Sequence, residues 1–351
     1  MTALDNFREQ VLGAAGARRT LRIRGGGTKD WYGQAFEGDI LDTRGHAGIV
    51  DYEPTELVIT ARCGTPLAEV EAALAERGQM LAFEPPYFGD GATFGGAVAS
   101  GLSGPRRASS GAVRDFLLGA VLMDGQGQVL TFGGQVMKNV AGYDVSRLLA
   151  GSLGTLGLML QMSVKVLPRP LRESTLRFEM SEIDALKRLN EWGGQPLPIS
   201  ASCWSDGVLT LRLSGAQAAV EAAERSLGGA SVHDGAALWR ALREQQHGFF
   251  SGADSLWRLS VPSAASAILL RGEQLIEWGG AQRWLKSASD AATAHNIRRA
   301  VSAAGGHATL FRGGDKSVGV FQPLAPAIAK IHERLKASFD PAHVFNPGRM
   351  Y

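Results

Sequence analysis

The chain has 351 residues, 36 Lys and Arg against 34 Asp and Glu, a formal charge of +2 and 45% hydrophobic residues. That length implies two or three domains with ample core, and the balanced charge gives no electrostatic case for nucleic acid or an acidic lipid surface. The two cysteines, Cys63 and Cys203, are too far apart for a metal knuckle or a disulfide framework and read as small buried residues in a reducing compartment.

The first ten residues carry Asp5, Arg8 and Glu9 where a secretory leader needs an apolar core. No apolar run reaches the ~18 residues of a membrane span, so the expectation is a soluble intracellular protein. Thr20–Arg24 alternates as a strand and runs into Gly25-Gly26-Gly27. Strands are expected at Ile40–Thr43 and Leu57–Ala61 from their β-branched content. A helix follows, with Thr65 as N-cap, Pro66 at its first position, Leu67, Val70 and Leu74 at helical spacing and Gly78 as its stop. Phe116–Met123 and Gln128–Phe132 read as a hairpin across Asp124–Gly127, and Leu158–Val166 as one more strand.

Pro168-Arg169-Pro170 favours an extended connector and marks the expected domain boundary. Beyond it, Thr175–Met180 reads as a strand, Ser181 caps a helix carrying Ile183, Leu186 and Leu189, and Ala201–Leu213 folds back at Asp206-Gly207. A helix at Ala216–Leu227 and a strand near Ala230–His233 complete the ferredoxin-like split βαβ order. Helices around Ala236–Gln246 and Ala291–Ala304 and strands around Ser255–Val261 and Ser317–Phe321 follow. The fold class expected is α+β: a first domain of two α/β subdomains over 1–168, a ferredoxin-like cap over 169–335, and a return to the first domain over 336–351.

Glycine is in excess, 45 residues or about 13% against a usual ~7%. Before the boundary it falls in four clusters: Gly25–Gly27, Gly89–Gly96, Gly101–Gly111 and Gly151–Gly157. Arg24-Gly25-Gly26-Gly27-Thr28-Lys29 can turn consecutive N–H groups toward one anion, with a hydroxyl and a charge beside them. It is neither GxxxxGK[ST] nor a GxGxxG that opens a helix. The stretch from Gly91 to Gly101 packs small residues densely enough to exclude bulky side chains from one surface. Such a surface suits a large, flat, phosphorylated ligand against bare backbone.

The order of these motifs resembles the FAD-linked oxidase family, of the vanillyl-alcohol oxidase or p-cresol methylhydroxylase type. It runs from RGGGT through TPLAEVEAAL, GATFGGAVASGLSGPRR, KNVAGYDVSRLLAGSLGTLG and FNPGR. The resemblance implies that Arg24, Gly25, Gly26, Gly27, Thr28 and Lys29 wrap the FAD pyrophosphate. Thr93, Gly95 and Gly96 would lie along the ribityl and isoalloxazine, with Ser100, Ser103 and Gly104 nearby, and Gly157 and Leu158 would approach the adenine end. Members that attach flavin covalently here carry His where this chain has Thr28, so non-covalent FAD is expected. Larger 2-hydroxy-acid dehydrogenases have GSEGTLG where this chain has Leu153 in place of the carboxylate. They also carry an HxGDGNxH-like segment where this chain reads Arg312-Gly313-Gly314-Asp315-Lys316-Ser317, without a His pair. His307 is the nearest histidine, and a structural role for it is favoured over catalysis.

The small size, the Lys138–Asp144 segment and His307–Arg312 resemble FAD-binding subunits of complexes that oxidise a small 2-hydroxy acid such as glycolate. The resemblance then implies two partners, a larger FAD-linked oxidase chain and an iron–sulfur chain. Two cysteines cannot supply the four thiolates of an iron–sulfur cluster, and the partners would hold this chain at the cytoplasmic membrane face. Two alternatives stay open. One is a self-sufficient dehydrogenase in which Arg106, Arg107 and Arg312 clamp a carboxylate. The other is a non-catalytic flavin-binding scaffold.

Overall fold

The computed structural model describes residues 2–134, 144–252 and 255–350. The Lys138–Tyr143 stretch of the flavin-type motifs and the terminal Tyr351 lie outside the described residues. The chain divides into two compact units. Met1–Leu102, Ala112–Pro168 and Pro323–Tyr351 form the first, and Ser103–Gly111 with Arg169–Gln322 form the second.

In chain order the elements up to the crossover are α1 (Ala3–Gly16), β1 (Leu21–Arg24), β2 (Asp39–Asp42), β3 (Ile49–Glu53), β4 (Val58–Arg62), α2 (Leu67–Ala75), β5 (Gln79–Met80) and α3 (Phe94–Ser100). Then come α4 (Arg107–Ser110), α5 (Val113–Phe116), β6 (Leu117–Met123), β7 (Val129–Gly133), α6 (Val145–Leu149), β8 (Leu158–Lys165) and β9 (Leu167–Pro168). Of these, α4 belongs to the second unit.

In the first unit, β1 and β2 form a parallel pair, and β3-β4-β8-β6-β7 form an antiparallel sheet. The expected hairpin is β6–β7, with Ala120 opposite Phe132. Apolar side chains of α2 and α3, such as Val70, Leu74, Phe94 and Val98, pack with Ile59, Ala120 and Met162 of the sheet. A second cluster joins Phe7, Val11 and Ala14 of α1 to Leu21, Leu41 and Leu160. This α1 helix was not expected, although it has a reciprocal cap: the Asp5 amide donates to Thr2 Oγ1, and the Thr2 amide to the Asp5 carboxylate.

One capping expectation is corrected. Pro66, not Thr65, holds the N-cap position of α2, and no side chain caps it. The Thr65 hydroxyl instead donates to the Arg62 carbonyl at 2.7 Å and accepts from the Gly48 amide at 2.9 Å. Those bonds tie two strand ends together, which a buried hydroxyl gains more from than from the exposed first turn.

The second unit continues with β10 (Arg172–Glu179), α7 (Glu182–Gly193), β11 (Ile199–Ser205), β12 (Val208–Gly215), α8 (Gln217–Leu227), β13 (Ala230–Ser231), α9 (Gly235–Arg243), β14 (Ser255–Ser260), β15 (Glu273–Glu277), β16 (Gln282–Lys286), α10 (Ala291–Ala303) and β17 (His307–Gly313). The spatial order β13-β10-β12-β11 is the ferredoxin-like arrangement of a split βαβ. Helices α7 and α8 pack Ala185, Leu189, Val220 and Ala223 onto Leu209, Leu211, Leu176 and Leu213. The sheet then grows through β15-β16-β14-β17 to eight strands, with α10 packed on Trp257, Leu259 and Leu310. The strand expected at Ser317–Phe321 is absent. Asp315 Oδ1 accepts from the Ser317 amide at 2.8 Å and starts a short 3-10 turn there instead.

The first unit resumes at Pro323, ahead of the expected return at 336, because α11 (Pro326–Phe339) packs Leu335 and Phe339 against that unit's core. Among the described residues no helix is long and apolar enough to cross a membrane.

Candidate functional site

β1 delivers Arg24 to the start of the glycine run, and two of those glycines are required by geometry. A Cβ on Gly26 would land on the Gly91 carbonyl, so the first two glycine clusters stand backbone against backbone. Gly27 has φ +74°, the left-handed region that side chains disfavour. Asp30 then secures the turn, accepting from Arg24 Nε at 2.7 Å and pairing with Arg22 Nη2 at 2.8 Å. Lys29 Nζ donates to the Tyr87 carbonyl at 3.1 Å, and Trp31 Nε1 to the Thr28 carbonyl at 3.0 Å.

The opposite wall is α3. Thr93 caps it, its hydroxyl accepting from the Gly96 amide at 3.2 Å, and Gly96, Ala99 and Ser100 present a face of very small side chains. The Ser100 hydroxyl donates to the Ala97 carbonyl at 3.0 Å. Leu153 and the segment around Asn346 close the remaining side. Asn346 Oδ1 accepts from the Ile23 amide at 2.9 Å, and its Nδ2 donates to the Leu153 carbonyl at 2.6 Å. Arg349 Nη2 donates to the Lys29 and Tyr32 carbonyls at 3.2 and 2.8 Å, and burial lowers its pKa to about 10. Together these groups line a half-open cleft of about 80 Å³, smaller than the ~300–1,000 Å³ of whole ligand sites and of a size to hold one part of a large ligand.

The structure brings together Arg24, Gly25, Gly26, Gly27, Thr28, Lys29, Thr93, Gly96 and Ser100 around this cavity. Gly95 does not line it. Its amide donates to the Cys63 carbonyl at 2.9 Å, and a Cβ there would strike Cys63, so this glycine serves helix-to-strand packing. Gly157 and Leu158 also lie outside it. Gly157 passes close to the Met123 carbonyl, and Leu158 is a buried core residue opposite Met123.

Ser103, Gly104, Arg106, Arg107, His307 and Arg312 belong to the second unit. There Arg106 is ion-paired with Glu173, Arg107 lies over the Trp278 ring at 4.4 Å, and Gly104 accepts from Trp278 Nε1 at 3.1 Å. Arg312 Nη2 reaches the Phe250 carbonyl at 3.4 Å. His307 opens β17 opposite Ser260, its pKa lowered by partial burial and by Arg258. Sequence reasoning did not place Ile23, Asp30, Ala99, Asn346 or Arg349 at the cavity. The Phe345–Arg349 motif pointed to the last two only as a return of the chain.

The lining of the cleft suits a pyrophosphate by two measures. Its phosphate side is bare backbone between Arg24 and Thr28, and three cations, Arg24, Lys29 and Arg349, outnumber the single carboxylate of Asp30. A pyrophosphate needs both N–H donors and positive charge.

Comparison with known proteins identifies the class. A family model described as an FAD binding domain matches residues 7–133, which include both glycine walls. The fold is that of p-cresol methylhydroxylase, with a TM-score of 0.74 over 99% of this chain and 87% of that one at 14% identity. This is therefore an FAD-binding chain of the FAD-linked oxidoreductase class. It is 52% identical to the glycolate oxidase subunit GlcE of Escherichia coli (strain K12), over 98% of this chain and 96% of the relative. The chain belongs to the family of that glycolate oxidase subunit. The glycolate oxidase subunit GlcD of Bacillus subtilis (strain 168) is 31% identical, over 39% of this chain and 29% of its own length.

Proposed function

We propose that this chain is the FAD-binding subunit of a complex that oxidises glycolate to glyoxylate, and that it holds its flavin without a covalent bond. The observation that carries the reading is the near full-length identity to a glycolate oxidase subunit, together with a cradle suited to a pyrophosphate. In this reading Arg24 to Lys29 bind the pyrophosphate, and Thr93, Gly96 and Ser100 form the wall for the rest of the cofactor. Thr28 offers a hydroxyl where covalent attachment would need a histidine. FAD, when bound, supplies a two-electron acceptor.

Removing the hydroxyl proton of a 2-hydroxy acid needs a positioned base. The Arg312–Ser317 segment has no His pair, and the arginines considered as a carboxylate clamp already serve Glu173, Trp278 and the Phe250 carbonyl. We therefore assign proton abstraction to a larger FAD-linked oxidase partner and the onward electrons to an iron–sulfur partner. Both cysteines are buried and far apart in sequence, which leaves this chain without a cluster site of its own. The complex would sit in the cytoplasm, at the membrane face.

The test is to purify the chain and record its visible spectrum, then to precipitate it with acid. The expected result is a yellow protein that releases all its flavin. Glycolate added anaerobically should leave the flavin oxidised in the lone chain and bleach it once the co-purifying partners are present. Bleaching of the lone chain would make it a self-sufficient dehydrogenase, and failure to take up FAD would refute the reading.

A further inference from the structure

We infer that Asn346 is a positioning residue that sets the width of the flavin cradle, by clamping the pyrophosphate loop to the loop that follows α6. The inference rests on the FAD reading above and adds a residue to that site. Asn346 is 2% exposed, and both polar atoms of its side chain are hydrogen-bonded to backbone. Its oxygen takes the amide of Ile23, one residue before Arg24, and its nitrogen reaches the carbonyl of Leu153. Ile23, Leu153 and Asn346 all face the cavity, so one amide spans the gap between two of its walls.

The chemistry is specific. A primary amide of this length offers an acceptor and a donor at once, whereas an ionised Asp keeps the acceptor and loses the donor. The backbone adds a second constraint, because Asn346 has φ +41°, a conformation tolerated by Asn, Asp and Gly. Gly154 lies so close that a Cβ would meet Asn346 Nδ2, so the second loop packs directly against the amide. Losing either bond would leave a buried backbone group unpaired at the cradle's rim.

N346G keeps the backbone conformation and deletes the amide; N346D keeps the acceptor alone. Each should weaken FAD binding to the apoprotein by about tenfold or more at pH 8. Relative to wild type, N346D should recover affinity near pH 5, because a buried carboxyl has a raised pKa and, once protonated, again offers a donor; N346G should not. Val344→Ala, a fully buried neighbour outside the cavity, should lower the apoprotein melting temperature while leaving the FAD Kd within about threefold.

Hydrogen exchange on the wild type supplies a readout that needs no variant: FAD should protect residues 153–157 and 344–350 together with 24–29. Wild-type affinity in N346D at pH 8, the same pH response in both Asn346 variants, or protection confined to 24–29 would overturn the inference. A wild type that takes up no FAD would overturn the parent reading instead.

Discussion

Glycines that look equivalent in the sequence have different jobs in the cradle, and substitution separates them. Gly26 cannot carry a side chain because the Gly91 carbonyl occupies its place, so G26A should cost the apoprotein about 1–3 kcal/mol by overpacking alone. Its loss of flavin would therefore say little about the phosphate. Gly96 is the cleaner probe. A Cβ there meets only Thr93 Oγ1, at 3.1 Å, and its place inside α3 makes Ala the better helix former. G96A should melt at or above the wild-type temperature as apoprotein and bind FAD several-fold more weakly, read by flavin fluorescence titration. Unchanged affinity would show that this wall does not contact the cofactor, and an apoprotein that loses several degrees would show that the added methyl overpacks α3.

At the scale of elements, Ser103–Gly111 leaves the first unit's sequence to join the second, and a polar cluster explains why. Arg106 pairs with Glu173 at the start of β10, the Ser109 hydroxyl donates to the Ser200 carbonyl at 3.1 Å, and the Ser214 hydroxyl to Glu173 at 2.6 Å. Burial alone would raise the Glu173 pKa, but the Ser214 bond and the charges of Arg106 and Arg212 outweigh it and lower it. The folded state thus holds the carboxylate more readily than the unfolded chain. That stabilisation is complete above the unfolded value near 4.5 and is lost as pH falls through the lower folded value.

Replacing Arg106 by Met should cost about 1–2 kcal/mol, below the ~3–5 of a fully buried pair, because the Glu173 side chain is 40% exposed. The variant should also lose part of the acid-dependent drop in melting temperature below pH 4.5. A wild-type melting curve at every pH would refute the role assigned to this pair.

Elements with a local cause were legible. Ser181 caps α7, the turn Asp206-Gly207 joins β11 to β12, and the β13-β10-β12-β11 order followed from alternation alone. Much of what escaped depended on burial or distant pairing. Phe94–Ser100 reads as a glycine loop by propensity, yet the Thr93 cap and burial of Phe94, Ala97 and Val98 make it a helix. β17 is held by β14, distant in sequence, whereas β15 and β16 form a local hairpin with Glu277 opposite Gln282 that the pattern of residues did not reveal.

For the whole molecule, the first unit is made of three separated stretches of chain, and the last carries part of the binding site. Leu21 donates its amide to the Val344 carbonyl at 2.7 Å and bridges Phe345 as a parallel partner of β1. Lys336 is buried; its ammonium binds the Thr155 and Phe345 carbonyls at 2.6 and 2.8 Å and pairs with Asp340. The sequence showed a turn-like Asn346-Pro347-Gly348 returning to the flavin domain, but not that Asn346 and Arg349 would reach the cavity itself.

A chain ending at Val344 tests that integration. It keeps β1 and the phosphate loop but loses Phe345, which is fully buried, along with the Asn346 bonds to Ile23 and Leu153 and the Arg349 bonds to Lys29 and Tyr32. Removing a buried Phe alone costs about 3–5 kcal/mol, so the apoprotein should melt well below wild type. Wild type at FAD one hundred times its Kd should gain about 2.7 kcal/mol by mass action, seen as a higher melting temperature. The shortened chain should gain almost none, since its phosphate loop lacks the support behind Ile23 and Lys29. If its melting temperature rose with FAD as far as wild type's, the last residues would be packing for the fold and no part of the flavin site.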